Sequence, residues 1–224
     1  MTNIYKAMFP TRKAITKKIL VTVFSLIGFL ASLYAQNVTV TASAGLALRN
    51  YNTLKEAFDA INDATHQGVI VVSLNASTIE GTTPATLNSN TATPASYTSV
   101  TVRPTADGLS VTGNPAQGFG VVQFNGSDNV TIDGDNPNTG GTNRNLTFIN
   151  SAANTTQFSS VIRIATSAVV NTANDIIIRN CNINGNVTGG NASGFGASNE
   201  NTFGIYVGGN AGATAVAAPT AITT

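Results

Sequence analysis

Val121-Val-Gln-Phe-Asn-Gly126, Ser127-Asp128 and Asn129-Val-Thr-Ile-Asp-Gly134 read as two short strands separated by a two-residue turn. In the second strand the apolar Val130 and Ile132 alternate with the polar Thr131 and Asp133, as expected for a strand with one buried face. The preceding segment has the same layout: Val100-Thr-Val-Arg-Pro104, a turn at Ala106-Asp107-Gly108, then Leu109-Ser-Val-Thr-Gly113. Val102 to Phe124 is a step of 22 residues and Val111 to Ile132 a step of 21. Two strands advancing by nearly the same interval predict a solenoid in which each interval is one coil.

Further strands are expected at 145–150, 161–164, 175–180 and 204–208, giving about five coils at the usual strand spacing. Superposing Asn129-Val-Thr-Ile-Asp-Gly, Asn145-Leu-Thr-Phe-Ile-Asn and Asp175-Ile-Ile-Ile-Arg-Asn aligns Val130, Leu146 and Ile176, then Ile132, Phe148 and Ile178. These six residues are the expected inward core stack. Gly134, Asn150 and Asn180 align at the strand ends, where left-handed backbone angles and stacked Asn amides suit a turn.

Upstream, 52–65 is the one segment with helical periodicity. Thr53 and Glu56 form a capping box, and Leu54, Ala57, Phe58 and Ile61 share a face. Gly68 is expected to end the helix, and 69–74 to be the first buried strand. A parallel solenoid exposes backbone groups at its ends, so this helix sits where an N-terminal cap belongs. No equivalent cap is seen after Gly208, where an Ala/Thr-rich stretch runs to Thr224. The expectation is the front piece of a longer protein, or self-association through an open last coil.

Before all of this, Lys6, Arg12, Lys13, Lys17 and Lys18 precede an apolar run over 19–31 and the small residue Ala35. That order of charge, apolar run and small residue predicts a secretory signal peptide over 1–35, too short in its apolar part to span a bilayer. The expected organisation is 1–35 signal, 36–68 N-terminal strand and capping helix, 69–210 parallel coils, and 211–224 low-complexity tail. The product would be secreted or on the cell surface, with no membrane span in the mature chain.

The whole sequence holds 11 Lys and Arg against 10 Asp and Glu, but five of the cations lie in the leader. Six cations against ten carboxylates leave the mature chain at a net charge of −4, with no basic stripe for a nucleic acid backbone. Charged residues are only 9% of the chain and Trp is absent, whereas Asn, Thr, Gly, Ala and Ser dominate. Cys181 is the single cysteine, so no intramolecular disulfide framework holds the fold.

The segments 51–62, 65–68, 97–104 and Asp128-Asn-Val-Thr-Ile-Asp-Gly134 resemble the opening of large secreted surface proteins of Bacteroidota. Those proteins carry pectin-lyase-like right-handed β-helix repeats and usually end in a type IX secretion sorting domain. The expected fold class is therefore all-β, a right-handed parallel β-helix (solenoid) with an N-terminal capping α-helix. The resemblance implies export to the surface or medium, with adhesion or binding of a polysaccharide or cell-surface glycan as the role.

Enzymes share that fold, so catalysis has to be argued from a site. The resemblance implies, for lyases, an Arg or Lys base beside Ca²⁺-binding carboxylates, and for hydrolases clustered Asp with Gly-His-Gly and Arg-x-Lys. Neither of the last two motifs occurs in this sequence. His66, the only histidine, reads as a solvated loop residue at the helix end. Asp128, Asp133 and Asp135, with Asn136, are the densest oxygen ligands and the weak Ca²⁺ candidates, against a plainer reading as turn-capping residues.

By alternation Arg163 and Arg179 point outward, suited to solubilising a sheet face before touching an acidic sugar or acting as a base. Cys181 is expected to point inward as a small hydrophobe. Asn-x-Thr triplets at Asn129 and Asn145 fall inside the strand pattern and read as by-products of it. No regular Thr-x-Thr column emerges that would match an ice lattice. The function expected is a non-catalytic extracellular module for adhesion or glycan binding, with no catalytic residue assigned. The alternative is the N-terminal part of a polysaccharide lyase or glycoside hydrolase whose catalytic coils lie beyond Thr224.

Overall fold

The computed structural model describes residues 36–153, 156, 158–166, 173–185 and 202–210; the expected signal and the Ala/Thr tail lie outside the described residues. The chain divides into two units, Met1–Ala35 and Gln36–Thr224. Within the second, the elements run β1 (Val38–Gly45), β2 (Leu48–Tyr51), α1 (Leu54–Asn62), β3 (His66–Leu74), β4 (Thr78–Gly81), β5 (Ala85–Asn88), β6 (Tyr97–Pro104) and β7 (Leu109–Gly113). They continue with β8 (Gly120–Asn125), β9 (Val130–Asp133), β10 (Leu146–Asn150), β11 (Ser159–Thr166), β12 (Ile176–Arg179), β13 (Cys181–Gly185) and β14 (Thr202–Asn210). Among the described residues the fold is all-β with one helix.

The strands form three sheets, ordered β12-β9-β6-β3-β1-β2, β13-β10-β7-β4 and β14-β11-β8-β5. From β3 onward every neighbour is three strands away in the chain and every pairing is parallel. Among the described residues each of these ladders is four parallel strands deep.

The register corrects the spacing argument. Val72, Val102, Ile132 and Ile178 are the true column, so the repeat in the first sheet is 30, 30 and then 46 residues. The steps of 22 and 21 join strands of different sheets, β6 to β8 and β7 to β9. The expected core stack is divided in the same way. Val130 and Ile132 pair with Ile176 and Ile178, but Leu146 and Phe148 belong to the second sheet, between Leu109 and Val111 on one side and Cys181 and Ile183 on the other. Strands on two faces of a repeat share one alternation, so a superposition by pattern merges them.

The inward columns make one core. Val72, Val102 and Ile132, Val111 and Phe148, and Leu87 and Phe124 are all inaccessible to solvent. Ile176, Ile178 and Ile183 on the last strands are partly buried and pack against that core. Each fully buried aliphatic or phenyl group contributes about 1.5–3 kcal/mol, and stacking like on like in register keeps the packing dense.

At the other end, β1 and β2 form an antiparallel hairpin, and β1 pairs antiparallel with β3. The helix is shorter than 52–65. Thr53 is its N-cap and accepts from the Glu56 N–H at 3.1 Å, while Glu56 Oε2 accepts from the Asn52 N–H at 2.8 Å. Thr53 thus closes its half of the capping box, while Glu56 reaches one residue further back, to Asn52. Asp63 caps the C-terminus and Ala64 turns left-handed at φ 62°, which ends the helix before Gly68. Gly68 lies instead inside β3, where a Cβ would sit 2.4 Å from Ser43 Oγ.

A buried carboxylate ties α1 to the ladders. Glu80 Oε1 accepts from the Leu54 N–H at 3.1 Å and Oε2 from the Lys55 N–H at 2.8 Å. Two orphan amides of the helix N-terminus are satisfied from β4, with the negative charge at the positive end of the helix dipole.

The strand ends also differ from expectation. Among Gly134, Asn150 and Asn180 only Asn180 is left-handed, at φ 55°; the other left-handed residues include Asn129 and Asp175, which enter β9 and β12. Gly134 is required for space, because a Cβ there would lie 2.0 Å from the Asn180 carbonyl oxygen. Gly134→Ala should therefore cost about 2–3 kcal/mol in chemical denaturation, the range of overpacked cores. Gly108→Ala, with φ 69° but open space around it, should cost about 1 kcal/mol.

Candidate functional site

The alternation that buries one side of each strand places Ser, Thr and Asn on the other. Outward positions of the second sheet are Ser110 and Thr112, then Thr147 and Ile149, then Asn182 and Asn184. Outward positions of the first sheet include Thr101, Arg103, Thr131, Asp133 and Arg179. Functional groups can meet on these faces only through register, since neighbours along a strand point apart.

Register brings together two of the predicted residues. Arg179 pairs with Asp133, its Nε 2.9 Å and its Nη2 2.7 Å from Asp133 Oδ2. The Asn180 amide donates to Oδ1 at 2.8 Å and the Asp135 N–H also points to Oδ1, at 3.2 Å. Partial burial raises the Asp133 pKa, but the bonds from Asn180, Asp135 and Arg179 outweigh it and hold the carboxyl below its ordinary value.

The other two weak Ca²⁺ candidates are committed elsewhere. Asp128 Oδ1 accepts from the Asn174 N–H at 2.7 Å, and Asp135 Oδ1 from the Asn143 N–H at 2.7 Å. Asn136 is buried, donating to Asp107 Oδ1 at 2.7 Å. No group of three or more His, Cys, Asp or Glu able to hold a metal occurs among the described residues.

Arg163 departs from the expectation of a solvated arginine, being only 1% exposed. It stands in register with Gln123 and Tyr206 in the third sheet, as alternation requires, but the chain from Gly118 to Gly120 closes over it. Its Nη1 donates to the Gly118 carbonyl at 2.5 Å and its guanidinium lies 4.9 Å from the centre of the Tyr206 ring. Burial lowers its pKa, against a smaller opposite effect of Tyr206. Gly120 makes room for the approach, because a Cβ there would meet Arg163 Cβ at 3.1 Å. A face that looks outward from the core is here internal to the fold.

His66 is likewise not solvated; it is fully buried at the start of β3. Its Nδ1 lies 2.6 Å from the Leu46 carbonyl, which can only accept, so Nδ1 carries the hydrogen. In the neutral ring Nε2 then accepts from the Tyr51 hydroxyl at 2.8 Å. The two rings meet edge-on, and Arg49 lies over the Tyr51 face at 5.3 Å. Tyr51 borders a cleft of about 280 Å³ also lined by Arg49, Glu56, Asp59, Ala60, Asp63 and Thr65. This buried pair and the Glu80 cap are absent from the sequence reading, since isolated polar residues in a β-rich stretch carry no pattern.

Cys181 begins β13 and is half-buried against the core, its Sγ 3.1 Å from the Arg179 carbonyl. Burial pushes its pKa up to about 11, which keeps the thiol neutral and poorly nucleophilic at pH 7. No helix among the described residues is long and apolar enough to cross a membrane.

No family model, curated protein or solved structure matches the chain. The likeness to Bacteroidota surface proteins therefore rests on the quoted residues alone.

Two outcomes follow from this geometry. Asp133 is held below its unfolded pKa of about 3.9, so its stabilising contribution is complete above that pH and lost as pH falls toward the folded value. Asp133→Asn should lower the melting temperature at pH 6 and flatten its decline below about pH 4. Tyr51→Phe leaves His66 Nε2 buried without its partner and should cost about 1–3 kcal/mol in denaturant titration at neutral pH.

Proposed function

We propose that the three ladders are faces of a right-handed parallel β-helix, and that the chain is a non-catalytic extracellular module for adhesion or glycan binding. On this reading residues 1–35 are its export signal, and it is the N-terminal portion of a Bacteroidota-type surface protein. The observation that carries the reading is the register: neighbours in every ladder are three strands apart, so the chain passes through all three sheets before returning to each. Crossovers between parallel strands in one sheet are right-handed in about 98% of cases.

Such a stack converts a polar repeat into long faces of Ser, Thr and Asn. Its best-connected charged group, Asp133 with Arg179 and Asn180, is engaged in joining β9 to β12. A module of this kind works through surface area and spacing.

Displayed on a non-adherent bacterial cell, the full chain should increase retention of cells on mucin-coated plates several-fold over an empty display vector. It should also release no new reducing ends or unsaturated uronates from a panel of plant and bacterial polysaccharides. Release of either product would overturn the non-catalytic reading in favour of a lyase or hydrolase.

A further inference from the structure

The three sheets differ in what they leave open. The third is closed over Arg163 and Gln123, which are 1% and 2% exposed. The second is four strands wide, and Asn182 spends its amide on the Thr147 hydroxyl and the Arg144 carbonyl. The first is six strands wide, and one row crosses all of it in register: Leu48, Thr41, Val71, Thr101, Thr131 and Ile177. Its two ends are open, with Leu48 59% and Ile177 49% exposed.

Five of those six side chains are β-branched and carry methyl groups at each strand step, and three of the five add a hydroxyl. Among the described residues the hydroxyls of Thr41, Thr101 and Thr131 have no protein hydrogen-bond partner, whereas Thr39, one row over, is tied to Asn50 and Asn75. The row offers regular apolar contact and unengaged donors and acceptors side by side. That combination complements a sugar chain, whose faces present C–H groups and whose edges present hydroxyls.

Size decides between a sugar chain and a second protein. Five strand spacings of about 4.8 Å by four to six residues of about 3.3 Å give roughly 300–500 Å². A stable protein interface needs about 800 Å² per partner. The patch is too small for that, but it suits a repetitive ligand bound many times over by many displayed copies. The charged outward side chains of its strands, Arg103, Asp133 and Arg179, sit at one border, where Asp133 is bound by Arg179.

We infer that the outward face of the first sheet, centred on Thr101 and Thr131, is a binding surface for a neutral polysaccharide chain. This rests on the adhesion and glycan-binding reading and narrows it to one face and one ligand class.

The test is co-sedimentation of the purified full chain with microcrystalline cellulose and with chitin, alongside retention on mucin-coated plates. Thr101→Lys with Thr131→Lys places two long charges in the row. Thr101→Val with Thr131→Val removes the hydroxyls while keeping strand-forming side chains, so it remains folded if the lysine pair does not. Thr112→Lys with Thr147→Lys on the second sheet is the control.

The expected result is that the wild type sediments with at least one of the two polysaccharides. Both first-sheet pairs should then lose binding, at least tenfold for lysine and several-fold for valine, while the control keeps it. Undiminished binding by the folded first-sheet pairs would overturn the face assignment. Retention on mucin with no sedimentation on either polysaccharide overturns the inference and leaves the adhesion reading standing. Failure in both assays removes both.

Discussion

Every parallel strand among the described residues depends on a partner about 30 or more residues away, and nothing covalent holds the partners together. The single cysteine excludes an internal disulfide. The constraint that remains is register: a slip of one residue would turn Val102 or Phe148 outward and Thr101 or Thr147 inward. The inward columns enforce it, because Val72, Val102 and Ile132 are each fully buried against like neighbours above and below. Loops of very different length can join such strands, since loop-closure entropy rises only logarithmically, by about 0.6 kcal/mol per doubling. The repeat thus stretches from 30 to 46 residues in the first sheet without disturbing its register.

The same dependence makes the first strand of each ladder vulnerable, and the structure answers with four devices around α1. The β1–β2 hairpin pairs antiparallel with β3 and covers its backbone edge. The helix lays Leu54, Phe58 and Ile61 on the core, all fully buried. Glu80 then fastens the helix by two main-chain amides, and Tyr51 with His66 fastens the hairpin to β3. An unpaired buried polar group costs about 1–3 kcal/mol, so each fastening is worth more when broken than its net hydrogen bonds suggest.

The sequence shows the capping helix and the strands with a clear apolar alternation, because both follow from local periodicity, but it passes over β4, β5 and β13, whose short polar segments carry no such pattern. It conceals which strand pairs with which. Val130 and Leu146 sit in indistinguishable patterns, yet belong to different sheets. Only distances set by loop lengths separate them, and loops such as 135–145 follow no rule of spacing. Burial on the outward side is hidden for the same reason. Alternation correctly turns Arg163 and Arg179 away from the core, but the connection that leads through Gly118 into β8 packs on the first, which is buried, while the second stays on the surface.

That divergence bears on how function is placed on a repetitive sheet. A side chain directed outward becomes part of a binding face only if no connection crosses it, so accessibility is decided by the loops and chemistry by the strands. The first sheet satisfies both conditions, since its outward threonines are in register and partly exposed. Arg163 satisfies only the second. Its guanidinium is buried against the Gly118 carbonyl and the Tyr206 ring and is turned away from solvent. A charged residue's position in a repeat is therefore weak evidence of a site until the course of the intervening loops is known.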